Sequence, residues 1–288
     1  RPSGALEIRQ AGFEFDRMRK RILRHLNQRS EMLSGISHDL RTPLTRIKLQ
    51  LAFIKDNKIS IIINCAAYNN VDLAQDNFNT ANLVNCIAVR NLSKLCSIYK
   101  IQLIHISTDF VFDGKKKSPY KENDIPYPIN KYGLSKLRGE KEIFEYNLEK
   151  SIIIRTSWLY SKFGNNFVTK IIDKLNSNKP FSVVNDEIGS PTNSLDLAMV
   201  IMILLSKTNN KNPEIYHYSN SGYCSRYEFA KQIKKILNSD TVIKIESKIN
   251  KESFRPKFTV LDNEKIISKF GLVNLDWRSS LNKMLNGN

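Results

Sequence analysis

At 288 residues, 41% hydrophobic and 25% charged, the chain is long enough for one large or two modest domains with real cores. No apolar run approaches the roughly 18 residues that span a bilayer. The start lacks the basic-then-apolar plan of a secretory leader, and because it opens on Arg1 it reads as a fragment. A formal charge of +17 raises nucleic acid as a partner, but lysines are spread along the chain and no basic motif is interleaved with aromatics. We therefore expect a solvated lysine-rich surface and no nucleic-acid partner. The four cysteines Cys65, Cys86, Cys96 and Cys224 lack metal-ligand spacing, which points to reduced thiols, no metal site and a cytoplasmic setting.

Residues 1–50 hold nine Arg, two Lys and one Asn, whereas the remainder holds six Arg and 28 Lys. That switch suggests two pieces of different origin, 1–52 and 53–288. In the first, Phe15, Met18, Ile22 and Leu26, then Met32, Leu33, Ile36 and Leu40, recur at helical spacing, predicting a long N-terminal helix. Ser37-His38-Asp39-Leu40-Arg41-Thr42-Pro43-Leu44 resembles the phosphoacceptor box of sensor histidine kinases. The resemblance implies His38 as phosphoacceptor, but no ATP-binding domain follows it. An unpaired apolar stripe there makes a homodimer a second expectation.

The second piece opens with Ile59-Ser60-Ile61-Ile62-Ile63, a β-branched run expected as a buried parallel strand, ending in Asn64-Cys65-Ala66-Ala67-Tyr68. Helical spacing follows from Asn79 to Cys96, with Leu83, Val84, Ile87, Ala88, Leu92 and Leu95 expected in the core. Strand Ile101–Ile106 then delivers Ser107, Thr108 and Asp109 to its carboxyl end, where open parallel sheets bind ligands. A polar loop from Asp113 to Ile129 is expected to be mobile. After it, Tyr132-Gly133-Leu134-Ser135-Lys136 puts a phenol and an amine one helical turn apart. An ammonium beside a phenol favours the phenolate, so a lowered Tyr132 pKa is expected.

Further strands are expected at Ser151–Arg155, Phe181–Asn185, Tyr216–Ser219 and Thr241–Ile245. Helices are expected up to Leu175, over Leu195–Leu205 and over Asp276–Leu285. Ser225 with Glu228 three residues on is a capping box for a helix from Arg226 to Leu237.

The order of apolar strand, Ser107-Thr108-Asp109, polar loop and Tyr-x-x-x-Lys resembles the extended short-chain dehydrogenase/reductases. Within them, four further stretches resemble the dTDP-4-dehydrorhamnose reductase family: Asn64-Cys65-Ala66-Ala67-Tyr68 with Val71-Asp72, Arg155-Thr156-Ser157-Trp158, Gly164-Asn165-Asn166-Phe167, and Asp186 to Thr192. The resemblance implies an α/β fold, here a truncated Rossmann-like parallel sheet with a smaller C-terminal substrate lobe. It implies reduction of dTDP-4-dehydro-6-deoxy-L-mannose to dTDP-L-rhamnose with NADPH or NADH, with Mg2+ as a possible accessory. Tyr132, Lys136 and Thr108 would be catalytic. Ala66, Ala67, Tyr68, Ile106, Tyr132 and Lys136 would hold the cofactor, and Thr108, Asp109, Trp158 and Arg255 the nucleotide-sugar. Trp158 reads as a sugar wall or as core, the resemblance favouring the first, and Arg255 as a phosphate partner or a surface arginine.

A dinucleotide fold normally starts with a strand and Gly-x-x-Gly-x-x-Gly before a helix. Gly4, Gly12 and Gly35 are the only glycines before Gly114, and none follows an apolar strand. The expectation is therefore an intact active-site half with an impaired cofactor half. Two alternatives stand beside it: a histidine-kinase phosphoacceptor fragment, and a non-catalytic reductase-like binding subunit.

Overall fold

The computed structural model describes residues 59–246 and 254–287. The long N-terminal helix, the 1–52 segment and His38 lie outside the described residues.

Ile61-Ile62-Ile63 forms the body of strand β1 (Ile61–Asn64). A short helix, α1 (Val71–Asp76), capped by the Asn70 side chain, follows it and was not expected from the sequence. Next come α2 (Phe78–Asn82), a π-turn (Leu83–Ile87) and α3 (Ala88–Tyr99), then β2 (Gln102–Thr108) with a 3-10 turn (Asp109–Val111). Helix α4 (Lys131–Glu145) leads to β3 (Ile152–Thr156) and β4 (Leu159–Tyr160). The remainder is α5 (Phe167–Asn176), β5 (Phe181–Val183), β6 (Ile188–Gly189), β7 (Thr192–Asn193), α6 (Ser194–Lys207), β8 (Glu214–His217), β9 (Cys224–Ser225), α7 (Arg226–Ile236), β10 (Ile243–Ile245), α8 (Glu264–Phe270) and α9 (Trp277–Asn286).

Strands β1, β2, β3 and β8 pair in that order into a four-stranded sheet, parallel throughout. Helices return the chain between strands, as parallel pairing requires. One sheet face packs Ile104, Ile152, Ile154 and Tyr216 against Leu197, Val200, Ile201 and Leu204 of α6 and Ile266 and Phe270 of α8. β1 departs from the fully buried strand expected, because among the described strands it pairs with β2 alone. Ile62 is buried but Ile63 is 40% exposed, as suits a strand covered on one side.

The helical stretch after β1 has a different buried face from the one its aliphatic residues predict. Ala81, Asn85, Cys86, Val89, Leu92, Ser93 and Cys96 face inward, while Leu83 is 45% exposed. The wider π-turn rotates the residues beyond it. The face it presents to α4 also needs small side chains, since a Cβ on Gly139 would stand 2.1 Å from the Asn85 carbonyl oxygen. Gly139→Ala is expected to lower stability by about 1–3 kcal/mol in thermal unfolding, because backbone rather than a side chain must give way.

Helix α4 starts where Asn130 accepts a hydrogen bond from Gly133 N (2.8 Å) and donates to the Phe254 carbonyl (2.9 Å). A Cβ at Gly133 would sit 2.0 Å from the Phe110 carbonyl oxygen, so glycine lets the helix seat directly on the turn after β2. The loop preceding α4, expected to be mobile, is instead tied down. Tyr120 N donates to Val260 O and Asp262 N to Tyr120 O, both at 2.8 Å, and the Tyr120 ring stacks on Phe112 at 4.3 Å. Ile125 and Tyr127 are open to solvent, as are Lys115, Lys117, Ser118 and Pro119.

The smaller lobe is built on the parallel pair β5–β10 and on helices α5, α7 and α9. Phe229 is its hub, touching the rings of Tyr160, Phe167, Trp158 and Trp277. Capping boxes at Asn166/Thr169 and Ser225/Glu228 start α5 and α7 and aim both N-termini consistently.

Candidate active site

The carboxyl end of β2 and the first turns of α4 bring Thr108, Asp109, Tyr132 and Lys136 together. Thr108 Oγ1 donates to Asp109 Oδ1 (3.1 Å) and accepts from Phe110 N (3.2 Å), which fixes its hydroxyl. The Tyr132 side chain lies beside Thr108, whose hydroxyl favours its ionised form, and its ring meets Phe110 edge-on at 5.9 Å.

The electrostatics differ from the expected lysine-activated phenolate. Burial pushes the Tyr132 phenol up to about 12, and the Asp109 carboxylate adds to the rise, with Thr108 only partly offsetting it. Lys136 does not act on the ring. Its Nζ donates to the Ile106 carbonyl at 2.7 Å and lies 3.3 Å from His105 Nε2. Spacing of one turn puts two side chains on one face, but the strand carbonyl captures the longer one. Tyr132 is consequently a protonated hydroxyl at neutral pH, and burial pulls the Lys136 amine down to about 8 against the Glu140 and Cys65 charges.

Asp109 is buried, and its carboxyl is pushed up to about 6 by burial, against the opposing effects of Thr259, Thr108 and Arg226. A carboxyl raised above its unfolded value adds stability that is complete below about pH 4 and lost as pH rises through 6. Asp109→Asn is expected to remove that loss, so urea unfolding at pH 8 should show the variant gaining up to about 3 kcal/mol relative to pH 4.

On the β1 side, Ala66 and Ala67 are exposed, while Tyr68 is held by its backbone. Asn85 accepts from Tyr68 N (2.8 Å), donates to Tyr68 O (2.9 Å) and donates to Ser135 Oγ (2.9 Å), linking this loop to α4. Small exposed side chains on a pinned backbone beside Lys136 suit the close approach of a flat nicotinamide ring. Ile106 contributes its carbonyl to Lys136 rather than an exposed side chain.

Trp158 adopts a left-handed backbone (φ 45°) and packs at the edge of the core. It joins the Phe229 cluster, and the Arg226 guanidinium lies 3.6 Å from its ring centroid. Gly189 makes this possible, since a Cβ there would be 2.6 Å from an indole carbon. Arg255 donates to Asp72 Oδ2 at 2.7 Å and lines a cleft of about 660 Å³. Asn166, Phe167, Lys170, Lys174 and Arg226 line the same cleft together with Asp72, Glu187 and Glu246, so cations and carboxylates share it.

Beneath the site, Glu140 accepts from Ser107 (2.5 Å) and from Arg155 Nη2 (2.7 Å), with both ion-pair side chains 2% exposed. Sequence reasoning missed Glu140, Arg226 and His105 as supports. Glu140 carried a signal, standing four residues after Lys136 on the same face, whereas Arg226 reads only as a helix start. Among the described residues no group of three or more His, Cys, Asp or Glu side chains could hold a metal ion, so nothing supports the Mg2+ expectation. No described helix is long and apolar enough to cross a membrane.

A parallel sheet with Thr108, Tyr132 and Lys136 gathered at its carboxyl end defines a Rossmann-like α/β protein of the short-chain reductase type. A family signature described as RmlD substrate binding domain matches residues 20–288. The chain belongs to that family. It is 33% identical over 281 residues to the spore coat polysaccharide biosynthesis protein SpsK of Bacillus subtilis, covering 97% of this chain and 90% of that one. It is 34% identical to the dTDP-4-dehydrorhamnose reductase of Aggregatibacter actinomycetemcomitans, covering 83% and 84%. The crystal structure of dTDP-4-dehydrorhamnose reductase from Bacillus anthracis in complex with NADP superposes with a TM-score of 0.74 at 36% identity, covering 80% and 81%. The family match begins well before residue 53, and nothing in these relatives supports a phosphoacceptor segment.

Proposed function

We propose that this protein is an NAD(P)H-dependent reductase of a nucleotide-linked keto sugar, converting dTDP-4-dehydro-6-deoxy-L-mannose to dTDP-L-rhamnose. The observation that carries the reading is the protonated Tyr132 hydroxyl beside Thr108 at the carboxyl end of β2. Relatives named dTDP-4-dehydrorhamnose reductase support the substrate.

A bound reduced nicotinamide supplies hydride, and Ala66, Ala67, Tyr68, Ile106 and Lys136 are the residues that would hold it. Reduction of a ketone leaves charge on oxygen, and the oxygen needs an acid. Tyr132 donates that proton from its hydroxyl, and Thr108 would turn its one O–H, now given to Asp109, to the carbonyl oxygen when substrate binds. The diphosphate suits the cleft of Lys170, Lys174, Arg226 and Arg255, where planar guanidinium groups can grip phosphate oxygens in pairs.

The test is NADPH oxidation by the purified protein with the keto sugar, with the product identified by NMR. Turnover with NADPH is expected. No product at millimolar NADPH, from protein that binds dTDP in calorimetry, would overturn the catalytic reading and leave a binding subunit.

A further inference from the structure

Lys136 is almost wholly buried, yet the neighbours that hold its amine are chosen by a residue that never touches it. Asn64, at the end of β1, accepts a hydrogen bond from Ala66 N on Oδ1 (3.1 Å). That contact settles which way the amide points, because a backbone N–H needs the oxygen. The Asn64 Nδ2 group is therefore the one that faces His105 Nδ1, at 3.0 Å. An amide NH2 only donates, so Nδ1 must accept, and a neutral imidazole that accepts on Nδ1 carries its hydrogen on Nε2. That N–H points at Lys136 Nζ, 3.3 Å away.

The geometry points to Asn64 and His105 as positioning residues that bias Lys136 toward its uncharged form before ligand arrives. An amine that accepts from His105 and donates to the Ile106 carbonyl satisfies both neighbours, whereas an ammonium would confront the Nε2–H. The other titratable groups facing the amine are Glu140 on its own helix and Cys65 past the end of β1, with Tyr132 one turn away. Glu140 is largely engaged by Arg155 and Ser107. His105 itself is fully buried and held well below its ordinary pKa by burial and by Lys136, so it is neutral throughout the physiological range. In the reductase reading, on which the role but not the geometry rests, the pair fixes the pH range over which the site gains a positive charge.

The chain has four histidines, and His217 is an internal reference of opposite sense. Its Nδ1 lies 3.0 Å from the Tyr120 carbonyl, which can only accept, so it carries its hydrogen on Nδ1. Long-range proton–nitrogen NMR on histidine-labelled full-length protein distinguishes the two forms directly, with His105 assigned by the signal lost in His105→Gln. His105 is expected as the Nε2–H form and uncharged from pH 5 to 8, and an Nδ1–H pattern would overturn the proposal. In folded Asn64→Leu the imidazole is free to turn its lone pair toward the amine. The Lys136 Cε titration, assigned with Lys136→Arg, should then move up by about one pH unit. An unchanged midpoint would equally overturn it. Neither readout involves turnover, so a failure here is separable from a failure of the reductase reading.

Discussion

Tyr132→Phe is expected to reduce kcat for the keto sugar by about 10²- to 10⁴-fold, the usual worth of a positioned general acid, while KM changes little. The ring fills the same volume against Phe110, so only the hydroxyl beside Thr108 is removed. Because that hydroxyl is held up near 12, no basic limb from its ionisation should appear in the wild-type rate profile below pH 10. Steady-state kinetics across pH 6–10 checks both statements. A variant retaining more than about a tenth of the wild-type kcat would place the proton donor elsewhere.

Arg155→Met is expected to cost about 3–5 kcal/mol, since it leaves the Glu140 carboxylate buried without its countercharge. Ser107 remains as a donor but cannot balance a full charge. Replacing both partners, Glu140→Leu with Arg155→Met, should recover most of that loss, because two apolar side chains of similar size need no pairing. Urea unfolding of the two single variants and the double gives the coupling directly. A double variant as unstable as Arg155→Met alone would mean that the site packs around the ion pair's shape rather than its charge.

The parts of the fold readable from the sequence are those with local signals. The β-branched runs became β1 and β3, the Ser225/Glu228 box starts α7, and Tyr132 and Lys136 do lie on the helix that follows β2. What escaped reading depended on partners distant in sequence. Leu83 reads as core, but the π-turn and the contact of Asn85 with Gly139 turned polar and small residues inward instead. Lys136 seemed bound for the phenol, yet the Ile106 carbonyl and His105, both from another strand, hold it. The lysine run and three prolines between Asp113 and Ile129 read as looseness, whereas the Val260–Asp262 segment supplies the missing hydrogen bonds. Arg226 gave no sign of lying over Trp158, because that pairing needs Gly189 to clear the space.

The bridge between Tyr120 and Leu261 also governs the order in which the molecule can be assembled. During synthesis the wall beside Tyr132 has to wait for a segment translated long after it, and Asn130 waits likewise for Phe254. A growing chain therefore carries its sheet and its tyrosine helix well before it owns a closed pocket. Ribosome-held intermediates stopped before residue 254 would be folded in part and unable to grip a sugar.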